Sequence, residues 1–123
     1  MIAYTVIGTN DMARSSAFYD ALLAELGAGR AMDVGRLIAY STGEGQPMFA
    51  ICIPADEKEA APGNGNMVAL GAENPAQVDH LYAKAIELGA TDAGAPGVSM
   101  DAFYIGYIRD LDGNKLNFFA PAA

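Results

Sequence analysis

The sequence predicts an α+β protein built from two βαβββ modules, and three observations carry that prediction. A short apolar strand pattern recurs 63 residues apart, each copy leads into an amphipathic helical pattern, and each helix is followed by three short strand-like runs. At 123 residues the chain has the size of one domain and can bury a core without disulfides or a structural metal. One domain over residues 1–123 is therefore expected. Its modules span about 1–55 and 66–123, joined by a linker at 56–65 that is rich in charge, Pro and Gly. Two small units that each leave one sheet face uncovered are expected to curl around a shared cleft, which makes a pocket.

The first strand is read in Tyr4-Thr5-Val6-Ile7-Gly8, and the same shift lays it on Met67-Val68-Ala69-Leu70-Gly71 and Tyr19 on Tyr82. The first helix is expected from Met12 to Leu26, with Phe18, Tyr19, Leu22, Leu23 and Leu26 as its apolar stripe and Gly27 as its stop. Strands follow at Ala31–Val34, Leu37–Tyr40 and Met48–Ile53, broken by Gly35-Arg36 and by Gly43-Glu44-Gly45. In the second half Asn74 is a good N-cap, Pro75 suits the first helical position, and Gln77 stands where a capping box places its amide. That helix runs to Leu88, with Val78, Leu81, Tyr82, Ala85 and Leu88 facing the core, and stops at Gly89. A weak strand near Thr91–Ala93, then Phe103–Arg109 and Lys115–Phe119 complete the module, with Asp112-Gly113-Asn114 as the last tight turn.

Composition narrows the partners. Seven basic against fifteen acidic residues give a net charge of −8, a poor match for nucleic acid or an anionic membrane. A chain 52% hydrophobic yet interrupted by charges and glycines reads as globular rather than disordered or membrane-spanning. The first apolar run has no basic flank and passes directly into a helix, so a cytoplasmic location is expected. The single cysteine, Cys52, excludes an intramolecular disulfide and a Cys-based zinc site, and its place in an apolar strand reads as a buried, inert thiol.

The opening segment Ile7-Gly8-Thr9-Asn10-Asp11-Met12-Ala13-Arg14-Ser15-Ser16-Ala17-Phe18-Tyr19 with Leu26-Gly27, and the closing segment Tyr107-Ile108-Arg109-Asp110-Leu111-Asp112-Gly113-Asn114-Lys115-Leu116, resemble the vicinal oxygen chelate superfamily. This group comprises glyoxalases, bleomycin-resistance proteins and extradiol dioxygenases. The resemblance implies a fold of paired βαβββ modules and a homodimer whose clefts are completed across subunits. In metal-dependent members His, Glu or Gln side chains from the first and last strand of each module hold a divalent cation. Here the corresponding residues are Tyr4, Met67 and Asn117, with Phe49 as the fourth if Gly45 is aligned with Gly113. Tyr, Met, Asn and Phe do not supply the imidazole or carboxylate that such a cation needs, so no metal and no other cofactor is expected. The sole histidine, His80, lies inside the second helix and reads as a surface or packing residue.

The four replaced positions become candidate lining residues for a small-molecule ligand, joined by Tyr104 and Tyr107, with Tyr40 as a further aromatic. Such a wall suits an aromatic or cationic ligand, whereas the alternative is that these side chains simply pack. On a regular strand Tyr104 and Tyr107 face opposite sides, so at most one of them lines the cleft. Arg109, Asp110 and Asp112 are read as satisfying the turn around Gly113, with an anion clamp or catalytic pair as the alternative. Two functions remain open at this level. One is a metal-independent binding protein of bleomycin-resistance type; the other is a metal-independent lyase or isomerase using Tyr4, Tyr104 or an Asp as acid or base.

Overall fold

The computed structural model describes all residues from 1 to 123. The element order is β1 (Tyr4–Gly8), α1 (Met12–Ala24), β2 (Gly29–Asp33), β3 (Leu37–Ser41), β4 (Met48–Cys52), β5 (Val68–Gly71), α2 (Pro75–Glu87), β6 (Thr91–Ser99), β7 (Phe103–Arg109) and β8 (Lys115–Pro121). This is the expected βαβββ order, twice. The chain divides into two compact units, Met1–Pro62 and Gly63–Ala123.

The first unit is a four-stranded sheet in the order β1-β4-β3-β2. Its outer pair, β1 and β4, is parallel, and the other pairs are antiparallel. Helix α1 starts where the Asp11 carboxylate accepts the Arg14 backbone N–H at 3.0 Å, an N-cap that satisfies one of the free amides of the first turn. It ends two residues before the expected Leu26. The Glu25 and Leu26 amides donate to Leu22 and Leu23 carbonyls in a tighter final turn, and Gly27 then takes φ 74°, a conformation that costs glycine little. Phe18, Tyr19, Leu22 and Leu23 are buried. Tyr19 packs within 4.9 Å of both Phe18 and Phe49, ring centre to ring centre, and forms the aromatic centre of the unit.

Tyr40 fastens the sheet to the helix. Its hydroxyl donates at 2.8 Å to Asp20 on α1, whose carboxylate also takes two hydrogen bonds from the Arg30 guanidinium at 2.9 and 2.8 Å. Arg30 holds the Asp20 carboxyl below its ordinary range, with the Tyr40 hydroxyl adding to the effect against some desolvation. Burial, then the same carboxylate, pushes the Tyr40 phenol well above its usual value. The segment after β4 is tied back as well. Asn10 donates to the Ala60 carbonyl and accepts the Ala60 N–H at 2.7 Å, so the polar stretch read as a linker packs on the β1–α1 loop. Gly8 lies under it, where an added Cβ would come within 2.9 Å of the Ala60 side chain.

The second unit repeats the plan with the order β5-β8-β7-β6, its outer pair again parallel. The Asn74 side chain caps α2 by accepting the Gln77 N–H at 2.9 Å, and Gln77 reaches back to the Glu73 N–H at 2.8 Å. Val78, Leu81 and Ala85 are fully buried, while Tyr82 and Leu88 sit at the margin. Two tyrosine–carboxylate bonds tie this helix to its sheet: Tyr104 donates to Asp79 and Tyr82 to Asp92, each at 2.7 Å. His80 is exposed on the outer side of α2. No helix of the protein is long and apolar enough to cross a membrane.

Strand β6 differs most from expectation, running nine residues where only three were read as strand. Gly94, Pro96 and Gly97 look like breakers in the sequence. They are accommodated because β6 is an edge strand and its pairing with β7 slips twice, between Asp92 and Gly94 and between Gly94 and Gly97. Gly94 and Gly106 also make room: a Cβ on either would lie 3.0 Å from the Tyr107 ring or from Pro96.

Asp20 yields a prediction. D20A removes the Arg30 ion pair and leaves the largely buried Tyr40 hydroxyl only a 3.4 Å contact to the Ser16 carbonyl, so it should cost about 1–2 kcal/mol in urea unfolding. Because the folded pKa of Asp20 is depressed, its contribution is complete above the ordinary carboxylate pKa of about 4 and is lost as pH falls through the lower folded value. Wild type should therefore lose more stability than D20N between neutral pH and about pH 3, which parallel urea titrations will measure.

Candidate functional site

Each sheet has one face against its own helix and one face away from it, and strand register decides which side chains take which. In the first unit the Tyr40–Asp20 bond fixes Tyr40 on the helix side. Phe49 pairs with Tyr40 across β3 and β4 and touches Tyr19, so it shares that side. Thr5 pairs with Phe49 across β1 and β4. Alternation then places Tyr4 and Val6 on the helix-free face, together with Met48, Ala50 and Cys52. Tyr4 is 57% exposed there.

The second unit follows the same logic. The Tyr104–Asp79 bond puts Tyr104 on the helix side, and its partner Ala120 with it. Leu116 and Phe118, fully buried, alternate with Ala120 on that side. Asn117 and its cross-strand partner Tyr107 therefore lie on the helix-free face, flanked by Ala69 of β5. Lys115 joins them, its Nζ 5.2 Å from the Tyr107 ring centre in a cation–π contact. Met67, just ahead of β5, lines a depression of about 400 Å³ on this unit with Tyr107, Arg109, Lys115 and the Gly63–Asn66 loop.

Two of the six expected lining residues fall on the other side. Phe49 is a core residue, because the register makes it the counterpart of Leu116. The residue that matches Asn117 is Ala50, one position further along. Counting from the turn glycines misplaced it, since the loops before β4 and β8 differ in length, and a shift of one residue reverses the face of a strand side chain. Tyr104 is likewise turned to α2, with its phenol pushed up by the Asp79 hydrogen bond. Tyr40 is committed to α1. Tyr4 in the first unit, and Met67, Tyr107 and Asn117 in the second, keep helix-free positions.

Asn117 stands out among these. It is only 3% exposed, and its Oδ1 is the one buried side-chain oxygen or nitrogen with no hydrogen-bond partner. A buried acceptor left unpaired costs about 1–3 kcal/mol, so it marks either a strained point or a site for a donor from outside the chain. By contrast Asp110 is satisfied: its carboxylate accepts the Asp112 and Asn114 amides and the Asn114 side chain, all within 3.1 Å. Arg109 donates to the Gly113 carbonyl at 2.9 Å. This segment is a turn built on its acid, as the sequence suggests. Lys115 was not among the expected lining residues, although a period-two count back from Asn117 points to it.

A model of the glyoxalase/bleomycin resistance protein/dioxygenase superfamily matches residues 1–118. The chain belongs to that superfamily. Among solved structures it is similar to a glyoxalase/bleomycin resistance protein from Albidiferax ferrireducens T118, with 34% identity over 98% of each chain and a TM-score of 0.90. It is also similar in fold to a glyoxalase/bleomycin resistance protein/dioxygenase family enzyme from Burkholderia phytofirmans PsJN, at 21% identity, 96% of each chain and TM-score 0.77. A lactoylglutathione lyase from Agrobacterium tumefaciens shares the fold at 22% identity over 98% of this chain and 92% of the other, with TM-score 0.71. No functionally curated protein matches the chain.

The superfamily's metal chemistry meets a donor set here that does not fit it. With Ala50 in place of Phe49, the four positions hold a phenol, a methyl group, a thioether and an amide, none of them an imidazole or carboxylate. No group of three or more His, Cys, Asp or Glu side chains is placed to hold a metal ion anywhere in the chain.

The face assignment is open to measurement. F49A, which empties the contact with Tyr19, should cost about 3–5 kcal/mol of stability. Y4A, exposed in the single chain, should stay within about 0.5 kcal/mol of wild type when both are unfolded at concentrations dilute enough to be monomeric, and the two variants will then separate core from surface.

Proposed function

We propose that this superfamily member binds a small aromatic or cationic molecule without a resident metal, on the helix-free face that carries Asn117, and acts as a binding protein rather than a catalyst. The observation that carries the reading is the unpaired, buried Asn117 Oδ1. It holds a position that the superfamily resemblance gives to a metal-binding carboxylate, and it offers a neutral acceptor to an N–H or O–H of a ligand. Tyr107 beside it supplies a ring face, and Met67 adds an adaptable apolar edge. The lyase or isomerase reading has less support. Tyr104, one of its acid–base candidates, is held on the helix side by Asp79, and its raised pKa makes it a poorer base at neutral pH.

A thermal-shift and calorimetric screen of aromatic and cationic compounds, run with and without added nickel, zinc or manganese, tests the proposal. Stabilisers are expected whose effect does not depend on metal. Stoichiometric metal uptake required for binding defeats the reading. N117L keeps the branched shape while removing the orphan acceptor, so it should raise stability by about 1–2 kcal/mol and abolish ligand binding. That opposition is expected of a group kept for a ligand and not of one kept for packing.

We extend the proposal to a cytoplasmic homodimer. Ile2, ahead of the edge strand β1, and Tyr4 and Val6 on it expose apolar surface, which supports pairing with a second copy, and the unpaired Cys52 is compatible with a reducing compartment. Light scattering should return twice the 12.8 kDa chain mass, and Y4E/V6E should return one chain mass.

A further inference from the structure

The second unit carries a basic rung that the reading above does not use. Arg109 of β7 and Lys115 of β8 are directly opposed cross-strand partners, and both line the 400 Å³ depression with Gly63, Asn64, Gly65, Asn66, Met67 and Tyr107. Like charges directly opposite one another on neighbouring strands repel and are ordinarily avoided. Here Lys115 rests over the Tyr107 ring and Arg109 on the Gly113 carbonyl, and neither meets a counter-charge. No acidic side chain lines the depression, and neither cation takes part in either of the protein's ion pairs, both of which belong to Arg30. In a chain with seven basic and fifteen acidic residues, two cations face each other without a carboxylate between them. Asn64 and Asn66 supply amide side chains, and the two glycines between and before them leave the backbone of that wall without side-chain cover.

We propose that this depression is a binding site for the anionic group, carboxylate or phosphate, of a small molecule. One anion between Arg109 and Lys115 converts a repulsive rung into two attractive contacts, with charge-assisted hydrogen bonds from both cations. Arg109 keeps one N–H on the Gly113 carbonyl, which steadies the guanidinium while its other N–H groups remain available. Lys115 needs only to swing from its place over the Tyr107 ring. The site rests on charged groups that the Asn117 reading does not use, two cross-strand pairs further along the same two strands and on the same face. A ligand that engages both rungs is an aromatic acid, with its acid group at the Arg109 and Lys115 end.

The test is a titration of the whole protein, at constant ionic strength, with inorganic phosphate and separately with benzoate, followed by amide chemical shifts and by thermal unfolding. Saturable shifts are expected at residues 63–67, 107–109 and 115 with at least one of the two anions. R109Q and K115E should each weaken that binding at least tenfold, and K115E, which places an acid opposite Arg109, should unfold no earlier than wild type. No saturable response to either anion, or unchanged affinity in folded K115E, overturns the site. Because the aromatic screen depends on Asn117 and the anion titration on Arg109 and Lys115, each reading can fail without the other.

Discussion

The parallel pairing of the first and last strand in each unit is the constraint on which the other features rest. In the first unit it sets Thr5 against Phe49, and in the second Val68 against Leu116. Those pairs face the helix, so every second residue, beginning with Val6 and Ala50 or Ala69 and Asn117, faces away from it. Once that register is locked, the core and the helix-free face are defined together, because a strand cannot move one side chain across without moving all of them. The βαβ connection makes the lock strong. Helix α1 or α2 must cover the sheet between the two parallel strands, and it brings Tyr19 or Leu81 into the layer that the register has prepared.

Tyrosine–carboxylate bonds hold each helix at its angle on the sheet, with different surroundings in the two units. In the first, Tyr40 is buried and its Asp20 partner is shared with Arg30, so a charge-assisted network forms at the rim of the core. In the second, Tyr104 with Asp79 and Tyr82 with Asp92 lie nearer to solvent, and water competes for the same groups. The pKa displacements run the same way: burial and then the Asp20 hydrogen bond push the Tyr40 phenol up, Arg30 and then Tyr40 hold Asp20 down, and the bond between Tyr82 and Asp92 raises the phenol and lowers the carboxylate. Partly buried, the Asp20 network contributes more to stability than the surface bonds of its counterpart.

Much of this was legible in the sequence because it is encoded locally. Asn74 before Pro75 and the glycines at 27 and 89 mark helix ends without reference to anything distant, and the 63-residue shift exposes the repeat. What was not legible depends on partners that are remote in the chain. Strand β6 was read as short because Gly94, Pro96 and Gly97 are unfavourable in isolation, and only its edge position and the small Gly106 opposite make it possible. Aligning turn glycines points to Phe49, but a turn glycine fixes a loop and not the phase of the strand after it. Counting from the parallel partner gives Ala50, and no single-sequence pattern supplies that partner. Tyr104 and Tyr107 were correctly set on opposite faces by alternation, yet choosing between them required Asp79 on α2.

The second helix-free face carries a different chemistry from the imidazoles and carboxylates that the superfamily resemblance leads one to expect there. An unpaired carboxylate at position 117, 97% removed from solvent, would have to be protonated or neutralised by a cation, since burying a lone charge costs several kcal/mol. An amide at the same place keeps an acceptor at a cost the fold can tolerate, about 1–3 kcal/mol. The basic side chains stand instead at the margin of the face, where Arg109 and Lys115 line a depression with no acidic side chain among its lining residues. The gradient along two strands, from a neutral acceptor to a pair of cations, gives the face a direction.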